Sequence, residues 1–77
     1  MALITDAATA WSSPITLTQD EVWQTRKGSV FVTTTLSPVA EDGLLLREGY
    51  GLRLTAGSQV QYRKDGTGDA VIVREGI

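Results

Sequence analysis

The chain contains no cysteine and no histidine. The first absence rules out disulfide staples and thiol nucleophiles. The second removes both the usual base of a serine hydrolase and the usual zinc ligand. Charge of one sign is also missing: seven Lys and Arg stand against nine Asp and Glu, a net −2 with no basic run, so nucleic acid is not an expected partner. No apolar run is long enough to span a membrane. The opening MALITDAATAWSS has neither the positive start nor the apolar core of a secretory signal, so neither a membrane location nor secretion by that route is expected. At 77 residues, folding buries only about 60 to 65% of the unfolded surface, a marginal core. With no disulfide or zinc site to supplement it, association with other chains is the supplement that remains.

What is present is alternation. In GYGLRLTAGSQVQYRKDGTGDAVIVRE, residues 49–75, Leu52 and Leu54, then Val60 and Tyr62, then Val71 and Val73 fall on alternate positions with glycine-containing breaks between them. That period belongs to strands with one face buried. A three-residue loop at Ala56–Ser58 would pair Leu54 with Val60 and Leu52 with Tyr62. A four-residue loop at Asp65–Gly68 would pair Tyr62 with Val71 and Val60 with Val73. The six apolar residues then form one sheet face. Arg53, Gln61, Arg63, Arg74 and Glu75 line the other, with Ile72 the lone large apolar group among them.

Earlier in the chain, Pro14 favours an extended Ser13 and opens a strand over Ile15–Thr18, with a turn near Gln19 and Asp20. Thr18 and Glu21 have the form of a capping box, but Gly28 and the β-branched run beyond it would cut such a helix to one turn. Val22–Arg26 and Ser29–Thr35 flank Lys27–Gly28 and predict a hairpin pairing Thr25 with Val30 and Trp23 with Val32. Val22, Gln24 and Phe31 then share the opposite face, so both faces carry large apolar groups. Leu36–Asp42 is a connecting loop, and Leu44–Leu46 reads as a short, fully buried strand. Residues 1–13 show neither period. A short helix over Leu3–Ala10 is compatible with their composition, but an extended arm is the better reading. The prediction is an all-β chain: an N-terminal arm (1–13) and a single β domain (14–77). The domain is a small antiparallel β-sandwich or open barrel, jelly-roll-like, of about six or seven short strands.

No catalytic set assembles from these residues. The doublets Asp20–Glu21 and Glu41–Asp42 are adjacent and so point to opposite faces of a strand, which makes neither a facing carboxylate pair. Asp65-Gly66-Thr67-Gly68-Asp69 has the oxygen-bearing first, third and fifth positions of a calcium loop. Position six is Ala70 and position twelve is Gly76, so it reads as a turn. GYG and DGTG are followed by no Walker lysine and open no helix, so neither is a phosphate loop. No catalytic residue, metal ligand, cofactor or enzymatic activity is expected.

The succession ITLTQDEVWQTRKGSVFV, EDGLLLREGYGLRL and AGSQVQYRKDGTGDAVIVRE resembles short chains of the structural gene clusters of tailed bacteriophages and related particles. Its strand-glycine-strand cadence is also similar to that of cupin-like and jelly-roll modules. Cupin metal chemistry does not carry over, since that family's histidine ligands have no counterpart here. The virion resemblance implies a non-enzymatic structural protein: a capsid decoration or cement protein, or another spike- or fibre-type accessory subunit. Its partners would be capsid, neck or tail proteins and further copies of itself, as a trimer by analogy, assembled in the bacterial cytoplasm and located in the virion. Leu3, Ile4, Trp11, Tyr50, Arg53, Arg63, Ile72 and Arg74 are the candidate interface residues, with the arm's main chain adding a strand to an exposed edge. The alternative is a carbohydrate- or ligand-binding sandwich that uses Trp11 and Tyr50 as its contact, for receptor or glycan attachment.

Overall fold

The computed structural model describes residues 2–77; Met1, first residue of the expected arm, lies outside them. Eight strands follow in order: β1 (Ala2–Ile4), β2 (Ile15–Thr16), β3 (Glu21–Lys27), β4 (Val30–Thr33), β5 (Leu44–Leu46), β6 (Gly51–Leu54), β7 (Gln59–Lys64) and β8 (Val71–Gly76). They form two four-stranded antiparallel sheets. Sheet I runs β1, β8, β3, β6 and sheet II runs β2, β7, β4, β5. The fold is all-β, a small sandwich, as the alternation predicts.

The inward faces supply the core. Trp23 from sheet I and Tyr62 from sheet II meet edge to face, ring centroids 6.1 Å apart, and Val30, Val32, Leu46, Leu54, Val60 and Ile72 close around them. Every second residue of β3 is buried from Glu21 to Thr25, the period of a strand with one face to the core.

The pairing order differs from the expected one. The hairpin across Lys27–Gly28 does not form, because β3 and β4 lie in different sheets, as do β6 and β7, and β7 and β8. Each of these short connections carries the chain across the sandwich. Thr25 and Val30, or Leu54 and Val60, therefore reach one core from opposite layers instead of lying side by side. Alternation identifies which residues point inward, and an inward pair satisfies it equally well across two sheets as along one. At the first crossing Gly28 adopts φ 73°, and a Cβ there would come within 2.5 Å of the Asp69 carbonyl oxygen, so this corner admits only glycine.

The phase of β8 is also shifted by one residue from the expected one. Ile72 stands opposite Thr25 and Ile4 and is fully buried, while Val73 lies on the outer face between Leu3 and Gln24. A one-residue slip exchanges the two faces of a strand. β5 is an edge strand, not a fully buried one: Leu46 is buried while Leu44 and Leu45 are exposed.

The N-terminal segment is extended, without the short helix, and it is held by its own chain. β1 adds a strand to the edge of β8. Further along, Ala8 accepts a bond from the Lys64 amide (2.8 Å), and Ser12 donates its amide to the Tyr62 carbonyl (2.9 Å). The segment thus spans both sheets, which explains the eighth strand.

Candidate interaction surfaces

Three of the eight residues singled out from sequence lie on the inner side of the sandwich. Ile4 and Ile72 belong to the core cluster, since β1 and β8 direct them inward as opposed partners. Arg74 stands opposite Trp23 on the same inward face, its guanidinium carbon 5.1 Å from the ring centroid. What draws a cation there is Glu21. Arg74 donates from Nε and Nη2 to the two carboxylate oxygens at 2.9 and 3.0 Å, and Trp23 Nε1 donates to the first of them at 2.9 Å. The bonds from Arg74 hold the Glu21 carboxyl below the usual carboxylate value, against burial, which raises it; the bond from Trp23 lowers it further. These three residues fasten β3 to β8 and are committed to the fold.

Trp11 and Arg63 meet on the outer face of sheet II. Arg63 and Phe31 are direct cross-strand partners on β7 and β4. The guanidinium lies 4.1 Å from the Phe31 centroid and 5.2 Å from that of Trp11, two cation–π contacts on one arginine. Its Nη2 donates to the Ala40 carbonyl at 2.6 Å, and Trp11 Nε1 donates to the Val39 carbonyl at 2.9 Å. The buried Nε has no acceptor among the described residues. This clamp ties the 34–43 loop to the sheet. It also employs the Trp11 indole N–H and sets Arg63 against its ring. At the other side of the clamp, a Cβ on Gly43 (φ 97°) would approach the Trp11 ring to 2.9 Å, which leaves no room for a side chain at that position.

The remaining three candidates are on the surface. Leu3 is half exposed on the outer face of sheet I, where it joins Val73 and the partly exposed Val22 in an apolar strip. Tyr50, 66% exposed, precedes the edge strand β6. Arg53 lies on β6, bonded to Asp20 at 3.1 Å; the Ala56 amide and then Arg53 hold the Asp20 carboxyl below its usual value. Between the open edges of β6 and β5 runs a cleft of about 490 Å³, floored by Leu44, Leu52 and Leu54 and rimmed by the hydroxyls of Thr33, Thr55 and Ser58.

Sequence reasoning placed Phe31 on the outer face but missed its contact with Arg63, and it missed the exposed Leu44 and Leu45 of β5 and Val39. A signal for β5 was available, since a three-residue leucine strand after a loop has no partner assigned on its far side.

Tyr62 donates to Asp6 Oδ1 at 2.6 Å, and burial followed by that bond pushes its phenol up to about 12, so it stays protonated at neutral pH. Among the described residues no three carboxylates gather into a metal site, and no helix is long and apolar enough to cross a membrane. No protein-family model matches the chain, and searches of curated proteins and of solved structures find no match.

Proposed function

We propose that this chain is a structural subunit that works by burying surface against its neighbours. Its setting is that of a decoration, cement or other head- or tail-associated accessory protein in a tailed-phage-type particle. The observation that carries the first part is that, among the described residues, half of the large exposed apolar groups lie on or beside open strand edges. Leu3 lies on edge strand β1, Leu44 and Leu45 on edge strand β5, and Tyr50 at the entry to edge strand β6. Apolar groups gathered on open strand edges support association, because an edge offers unpaired main-chain groups beside them. The setting rests on the resemblance of residues 15–75 to virion accessory chains. Neighbours add stability by mass action, since contacts that exist only with the folded form favour it, which suits a core of this size.

The test is location. A tagged chain expressed during infection is expected to co-purify with particles through a density gradient and to be labelled on the shell, neck or tail by electron microscopy. Particles free of the chain would overturn the reading.

A further inference from the structure

We propose that the free edge of β6 pairs with β6 of a second copy, antiparallel about a two-fold axis centred on Leu52, giving a continuous eight-stranded sheet. The inference deepens, and rests on, the reading of the chain as a surface-burying subunit.

The phase of the β6 edge follows from the hydrogen bonds. Thr25 donates its amide to the Tyr50 carbonyl at 3.0 Å and accepts from the Gly49 amide at 2.8 Å. On β3, therefore, Thr25, Trp23 and Glu21 turn their main-chain groups toward β6, and their opposites Leu52 and Leu54 turn theirs toward β3. The bond from the Ile77 amide to the Asp20 carbonyl agrees with this phase, in which the even-numbered residues of β3 face β8. Gly51 and Arg53 must then direct their N–H and C=O groups out of the sheet. None of these four groups has a partner among the described residues.

An extended main chain can satisfy all four groups at this spacing, and β6 of a second copy has the matching phase. With Leu52 opposite Leu52, Gly51 of one chain faces Arg53 of the copy. Both residues point outward, so each pair exchanges two bonds and the symmetric ladder has four. A ladder centred on Arg53 would instead set like charges face to face, which destabilises it. Centring on Leu52 places each Arg53 beside a residue with no side chain. The same register brings the two Leu52 side chains together over the apolar cleft and carries Tyr50 of the copy to the position opposite Leu54. The other edges are weaker templates, with two or three residues each in β1, β2 and β5 against four in β6.

The symmetry is thus two-fold, in place of the trimer implied by analogy. Light scattering of the purified chain is expected to give twice the single-chain mass. Because the chain has no cysteine, single replacements report the register. Leu52→Cys should oxidise to a cross-linked dimer while Arg53→Cys remains uncross-linked, since only the first meets itself across the axis. Arg53→Pro deletes an outward N–H without touching the β3 ladder and should return the mass to that of one chain. Arg53→Glu should leave the dimer intact.

A monomeric or trimeric wild-type mass, or cross-linking of the Arg53→Cys variant in preference to Leu52→Cys, would overturn the pairing. Particle association of the same proteins separates the two readings. A monomer that still binds particles refutes β6 pairing alone, and a dimer that binds none refutes the subunit role alone.

Discussion

Two arginines in this molecule stack on tryptophan, with opposite consequences. Arg74 lies over Trp23 inside the sandwich, and Arg63 lies between Trp11 and Phe31 outside it. The ring distances of the two tryptophan contacts are nearly equal, 5.1 and 5.2 Å. What differs is the acceptor. Arg74 meets a carboxylate through two bonds, whereas Arg63 meets one carbonyl, that of Ala40. A cation inside the sandwich is matched by a full opposite charge that offsets its lost hydration, while Arg63, equally part-buried on the outer face, relies on two rings and a loop carbonyl. The first arrangement fixes how β8 sits in the sheet, and the second fixes only where a loop lies.

If that contrast is right, the largest loss follows from breaking the inner set. Arg74→Ala leaves the Glu21 carboxylate buried beside Trp23 with no cation, and the expected cost is about 3 kcal/mol of unfolding free energy. Urea denaturation followed by Trp fluorescence measures it. The double change Glu21→Leu with Arg74→Met removes both charges and should cost less than Arg74→Ala alone, because no unpaired charge remains. A double variant as unstable as the single one would mean that the ion pair itself, not the orphaned carboxylate, carries the effect.

The outer set is expected to yield less. Trp11→Ala removes the ring over Arg63 and the bond to Val39, at a cost of about 2 kcal/mol. Arg63→Ala, with Trp11 and Phe31 left to close on each other, should cost about 1 kcal/mol. The sharper readout is local. In either variant, amide exchange should accelerate in the 34–43 loop while the β3 and β8 amides keep their protection. Loss of protection in β3 would show that the clamp supports the whole sandwich, and the distinction between the two arginines would fail.

The same contrast explains what could be read from sequence. Trp23, Thr25, Val30 and Val32 are inward as the alternation says, because one-sided burial imposes a period of two whatever the strand pairs with. The partners were not legible. Loop lengths chosen to match apolar residues assume that consecutive strands are neighbours, and here all three connections so assigned cross between layers. In Val71-Ile72-Val73 all three residues are apolar, so local pattern gives β8 no phase. The phase is fixed by Arg74 reaching Glu21, 53 residues away in the chain. One clue was local to the other end: Glu21 shares the face of Trp23, and a carboxylate on an apolar face demands a cation from elsewhere. On the outer face, Trp11 and Arg63 could be named as surface residues but not joined, since their contact depends on the arm returning along β7.

The smallest expected effect is in pH dependence, and it separates the two arginines most cleanly. The folded-state pKa of Glu21 lies below its unfolded value of 4.5. The stability it contributes is therefore complete above that value and is lost as pH falls through it toward the folded value. Asp20, lowered from 3.8 by the Ala56 amide and Arg53, adds to the same acid limb, weakly because it is exposed. Urea midpoints measured between about pH 2 and 5 should fall with acidification in the wild type. Glu21→Gln should flatten that slope even though it lowers stability at neutral pH, because the group that titrates is gone. Arg63→Ala should reproduce the wild-type slope, displaced by a constant amount, since among the described residues no carboxylate is bonded to Arg63. An acid limb that flattens in Arg63→Ala would mean that the outer clamp is coupled to a carboxylate, and the two stacks would then differ only in the face of the sandwich on which they lie.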